Sequence, residues 1–100
     1  MRVFTEEERA FCEAKGITAA QSFAARFAAK EAFLKALQTG WRGRITWHDI
    51  EIVSNEMGVP SLEIQGEAQK ILENLGANRI HLTLSHTTEH AVAQVILEKI

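Results

Sequence analysis

Residues 26–37, RFAAKEAFLKAL, contain no glycine, no proline and no β-branched residue, and four of the twelve are alanine. Such a run is strongly biased to helix. Large apolar side chains at Phe23, Phe27 and Leu34, with a second row at Phe33 and Leu37, recur at helical spacing and predict the buried face. The helix is expected to begin at or beside Thr18 and to end near Gln38, Thr39 and Gly40. Alanines 24, 25, 28, 29 and 32 leave little side chain on one side, so a sheet, a second backbone or a ligand can approach closely. Glu31, four residues past Phe27 and three before Leu34, interrupts the core-facing row, and a carboxylate there needs a partner or a metal. Lys35 stands one turn further on, where one small ligand can touch both side chains. The same spacing also describes a surface ion pair worth a few tenths of a kcal/mol.

The flanking segments are short and well punctuated. Thr5 followed by three glutamates reads as an N-cap with a capping box. It predicts a first helix over residues 6–15, stopped by Gly16, with Phe4, Ala10, Phe11 and Ala14 on its buried stripe. Past Arg44 the apolar period falls to two. Residues 45–53 predict a strand, irregular near His48 and Asp49, and residues 61–65 a returning strand after a turn at 55–60. Residues 66–76 predict a helix that buries Ala68, Ile71, Leu72 and Leu75, and residues 79–85 and 91–97 a second strand pair. Helix, helix, hairpin, helix, hairpin in a single domain over residues 1–100 implies an α+β fold, a small antiparallel sheet packed with helices.

Composition narrows the function classes. A formal charge of −2 gives no global basic field to hold nucleic acid or an anionic membrane, so any anionic partner must meet a local patch. The lone cysteine, Cys12, cannot form an internal disulfide, and no apolar stretch approaches a membrane span or a signal peptide core. A cytoplasmic protein is expected, with neither nucleic acid nor membrane as partner.

The run RFAAKEAFLKAL, the Thr39-Gly40 that closes its helix, Asp49-Ile50-Glu51-Ile52, Asn55, Gly58-Val59-Pro60 and Leu84-Ser85-His86-Thr87 together resemble the holo-acyl-carrier-protein synthase family of 4′-phosphopantetheinyl transferases. The resemblance runs in order over nearly the whole chain. It implies transfer of phosphopantetheine from coenzyme A to a serine of apo-acyl carrier protein in fatty acid synthesis, dependent on Mg²⁺, by a homotrimer with the coenzyme between subunits. It makes Glu31 the metal ligand and, with Lys35, the catalytic pair. Coenzyme contacts are implied at Arg26, Lys35, Thr39, Gly40, Arg44, Pro60, Ser85, His86 and Thr87, with Lys30 and Arg42 as further candidates.

Each position also has a plainer reading. Arg26 and Lys30 fit a surface salt bridge, Arg42 and Arg44 fit solvated surface, Pro60 fits a hairpin turn, and His86 fits a turn residue. The family's first strand, with a Gly-x-Asp-Ile aspartate as second metal ligand, has no counterpart in this chain, and a form shortened at its N-terminus is expected. Asp49 and Glu51 match a different segment, so neither is expected to replace that aspartate. The alternative is a coenzyme- or carrier-binding module of the same fold with impaired catalysis. Residues 86–90 also fit the H-x-x-E-H pattern of certain zinc peptidases, but that site needs both histidines on one helix, and the flanks alternate as strands.

Overall fold

The structure, a computed structural model, describes residues 3–37, 45–86 and 90–99. Helix α1 (Glu6–Glu13) opens with the expected capping box: the Thr5 hydroxyl accepts from the Glu8 amide at 3.1 Å while the Glu8 carboxylate accepts from the Thr5 amide at 2.9 Å. The helix stops at Glu13, short of Lys15, because the Lys15 amide turns back only three residues to the Cys12 carbonyl. A 3₁₀ turn, Gly16–Thr18, then leads into α2 (Ala19–Ala36). The buried positions of α1 are Glu8 and Cys12, whereas the expected Ala10 and Ala14 face solvent and Phe4 and Phe11 are half-buried.

Full burial pushes the Cys12 thiol above the ordinary thiol range, with the nearby Arg26 charge opposing the shift. Cys12 is expected to resist iodoacetamide in the native protein at about pH 8 and to react fully once denatured, an outcome read by intact mass.

The face of α2 that turns inward differs from the sequence expectation. Phe33, Leu34 and Leu37 are buried as expected, but earlier along the helix the inward positions are Ser22, Ala25, Arg26, Ala29 and Lys30. Phe27 is 38% exposed and lies against the Trp47 ring at 5.4 Å, and Phe23 stacks at 4.9 Å on Phe4.

Two antiparallel pairs complete the fold. Strands β1 (Ile50–Ser54) and β2 (Pro60–Ile64) pair Ile52 with Leu62, and β3 (Arg79–His86) and β4 (Ala91–Glu98) pair Leu82 with Val95. The first strand is shorter than expected. Thr46 and Asp49 form their own capping box, Asp49 accepting from the Thr46 amide and hydroxyl, and this closes a 3₁₀ turn, Trp47–Asp49, at the predicted irregularity. Helix α3 (Gly66–Leu75) begins against that turn: Gly66 has φ +64°, and a Cβ there would stand 2.7 Å from Asp49 Oδ1. Ala68 and Leu72 of α3 are buried and Ile71 is half-buried, but Leu75, expected on the buried face, is exposed. The core joins Phe33, Leu34 and Leu37 to Ile45, Trp47, Ile50, Ala68 and Leu72, and α2 packs along β4 and β3.

Candidate functional site

Two concave surfaces flank α2. The first is an open groove of about 630 Å³ whose α2 wall carries Ala24, Phe27, Ala28, Glu31, Ala32 and Lys35 and whose opposite wall is Ala91, Val92 and Ala93 of β4. The expected alanines thus divide: Ala25 and Ala29 pack inward, while Ala24, Ala28 and Ala32 hollow the groove. Glu31 is half-buried on its wall rather than within the core row, and Lys35 is exposed beside it. Among the described residues neither has an ionic or hydrogen-bonding partner, so the surface ion pair read from their spacing does not form. Among those residues, both are open to a ligand.

Among the described residues Glu31 is the only carboxylate lining that groove, and no group of three His, Cys, Asp or Glu gathers among them. Such a donor set fits Mg²⁺, which is commonly held by one or two carboxylates with substrate phosphates and waters completing the octahedron. The other two carboxylates weighed from sequence are engaged elsewhere. Asp49 stands in the 3₁₀ turn rather than in a strand and caps it, and Glu51 accepts from the Thr5 hydroxyl.

The second concavity, about 210 Å³, is lined by residues that include Arg26, Lys15, Ser22, Ser54, Gly58 and Pro60. It brings together two sequence-predicted contacts, Arg26 and Pro60. Arg26 is not in a surface salt bridge: it is 5% exposed, donates to Ser54 Oγ at 3.0 Å and lies 4.1 Å above the Phe11 ring. Its Nε has no partner, and burial lowers its pKa. An anionic group entering this pocket would satisfy that nitrogen. The turn that supplies Gly58 is held by Asn55 Oδ1, which accepts from the amides of Met57 and Val59 at 2.9 Å, with Gly58 at φ +81°.

Sequence reasoning missed the most buried charges in the described chain. Lys30 is a buried cation rather than a surface one: its Nζ donates to Glu8 Oε1 at 2.8 Å, Val3 O at 2.8 Å and Trp47 O at 2.9 Å, which uses all three protons. Glu8 in turn accepts from the Ile52 amide at 2.7 Å through Oε2, and both side chains have no exposed surface. Burial lowers the Lys30 pKa, and the hydrogen bond to Glu8 opposes this. The only signal in the sequence was the third of three consecutive glutamates, where α1's capping box already explained it.

Ser85 is exposed near the end of β3, and His86 is the last residue of that strand, paired with Ala91 of β4. The hairpin rules out one helix carrying both His86 and His90, so no zinc peptidase site exists there. Thr39, Gly40, Arg42, Arg44 and Thr87 lie outside the described residues.

The fold is an α+β scaffold whose long helix displays, unpaired among the described residues, a carboxylate and a lysine over a groove. The chain belongs to the 4′-phosphopantetheinyl transferase superfamily, whose family model matches residues 1–95. Within it the chain groups with the holo-[acyl-carrier-protein] synthases, which are transferases. It is 47% identical over 97 residues to the synthase of Koribacter versatilis and 52% identical over 97 residues to that of Syntrophotalea carbinolica, covering 77% and 75% of their lengths and 97% of its own. Among solved structures it is similar to the ACPS-CoA complex from Chronobacterium ammoniagenes (TM-score 0.83, 29% identity, 98% of this chain and 79% of that one). It is also similar to the Bacillus anthracis synthase in complex with CoA (3′,5′-ADP) (TM-score 0.79, 38% identity, 99% and 78%). Among the described residues no helix is long and apolar enough to cross a membrane.

Proposed function

We propose that this chain transfers 4′-phosphopantetheine from coenzyme A to a serine of an apo-acyl carrier protein, serving fatty acid synthesis. The observation that carries the reading is the free Glu31 and Lys35 on one groove wall, in a chain so similar to holo-[acyl-carrier-protein] synthases. In the transfer the serine oxygen forms a bond to the phosphorus that bears pantetheine, the pyrophosphate P–O bond breaks, and adenosine 3′,5′-bisphosphate leaves as the serine proton passes to a base. Bound at Glu31, Mg²⁺ would supply neutralisation of the pyrophosphate charge. Lys35 meets phosphate oxygens and stabilises the charge that develops on the leaving group. The groove holds the reacting ends in place, so catalysis rests on positioning and charge rather than on a covalent enzyme intermediate.

Arg26 and Pro60 hold the nucleotide end of the coenzyme, with Ser85, His86, Thr87, Thr39, Gly40 and Arg44 as further contacts. Positions 26 and 31 are five apart on α2 and so point about 140° away from each other. A coenzyme that touches both surfaces would lie between neighbouring copies of the chain, in keeping with the homotrimer that the family resemblance implies. Arg26→Lys keeps a positive charge but loses the planar fork and its Nε, and is expected to raise the coenzyme Kd by about tenfold in calorimetric titration.

The reaction is tested by chromatography of the nucleotide product. Adenosine 3′,5′-bisphosphate is expected only when apo carrier and Mg²⁺ are both present, and not with a carrier whose acceptor serine is alanine. Coenzyme binding without release would favour the binding module over the transferase.

A further inference from the structure

The inward face of α2 before Phe33 has no large apolar side chain. It carries Ser22, Ala25, Arg26, Ala29 and Lys30, while Phe27, next in sequence to Arg26, is left 38% exposed. Apolar burial alone would turn the helix the other way, bringing Phe23, Phe27 and Leu34 into one buried row. That setting would carry Glu31, one turn past Phe27, out of the groove and toward the core. In the observed setting this face instead buries the ion pair of Glu8 and Lys30. Through it four segments are tied to one point of α2: the middle of β1 at Ile52, the turn at Trp47, the cap at Thr5 and the chain at Val3.

We propose that Glu8 and Lys30 are positioning residues for the transfer reaction: their buried ion pair fixes the rotation of α2 about its own axis and so keeps Glu31 and Lys35 on the groove wall. The proposal rests on the reading of Glu31 as the carboxylate of the transfer site. A buried polar residue that specifies register at a cost in stability is a known device in coiled coils. Arg26 is anchored separately by Ser54 and the Phe11 ring, so losing the pair frees the half of α2 that bears Glu31 more than the half that bears the nucleotide contact.

The test is the double variant Glu8→Gln with Lys30→Met, which removes both charges at nearly constant volume and keeps an amide oxygen for the Ile52 amide. The variant is expected to fold, with the amide resonances of residues 27–35 displaced, Trp47 fluorescence altered, and kcat lowered by about tenfold or more while KM for coenzyme A changes little. A folded double variant with wild-type kcat, or with those resonances unmoved, overturns the proposal. A pair that only added stability would lower the melting temperature and leave the kcat of the folded protein intact. Should the double variant not fold, Glu8→Asp, which retracts the carboxylate by one methylene, carries the same readouts and the same criteria. Wild-type protein measured alongside separates the two readings: no transfer by wild type removes the transferase assignment, while the resonances of residues 27–35 still decide whether the pair sets the helix.

Discussion

Glu31→Gln is expected to lower transfer by about 10²–10³-fold, the loss typical when one electrostatic contact to a developing phosphate charge is removed, and to leave the melting temperature nearly unchanged. The separation of the two effects follows from the geometry. Glu31 has no partner in the described fold, so the amide leaves no buried group unsatisfied and its effect on stability stays within about 0.5 kcal/mol. The amide is neutral and a poor ligand for a hard cation, so the catalytic loss is large. Transfer by the variant that matches wild type would assign Glu31 to the solvated surface.

Lys30→Met is expected to act in the opposite way, through stability. The substitution is close to isosteric, but it strands the Glu8 carboxylate with no exposed surface, takes the Lys30 donor from the Val3 carbonyl and leaves the Trp47 carbonyl to the Ile50 amide. Breaking a buried pair from one side costs about 3–5 kcal/mol, a large share of the 5–15 kcal/mol that holds a typical domain together. Urea unfolding should therefore show a markedly lower midpoint at an unchanged slope. A midpoint within experimental error of wild type would mean that Glu8 relaxes to solvent or to another cation. Restoring neutrality with Glu8→Gln in the same chain should recover part of the loss, because the uncompensated charge is the larger fraction of the cost.

The elements legible in the sequence were those set by local chemistry. The Thr5 capping box, the glycine-free run of α2, the 61–65 return strand and the alternation on either side of His86 each specify their own backbone, and each formed as read. Two features depart from the hydrophobic pattern because polar side chains decide them, one through a local pair and one through a distant partner. Ile45 and Thr46 have strand-forming side chains, yet Thr46 and Asp49 bond to one another and turn the chain before β1. On α2, hydrophobic spacing favoured Phe23 and Phe27 as core. Glu8, reaching across from α1, made Lys30 the cheaper residue to bury, since all its protons find acceptors there.

The site followed the same division. Glu31 and Lys35 were visible as a pair on one face, because helical spacing alone places them together. That they stand apart from each other over a groove depends on β4, some sixty residues away in sequence. Arg26 and Pro60 were proposed separately and meet only because the 55–60 turn folds back beside α2.

The most direct measurement is the intact mass of an apo-acyl carrier protein incubated with coenzyme A and this chain, with Mg²⁺ and again with a chelator in excess. The expected result is a carrier heavier by one phosphopantetheine group, formed only with the metal and reaching completion at catalytic amounts of the chain. A carrier mass that stays unchanged in the presence of Mg²⁺, while coenzyme A still binds, would contradict it.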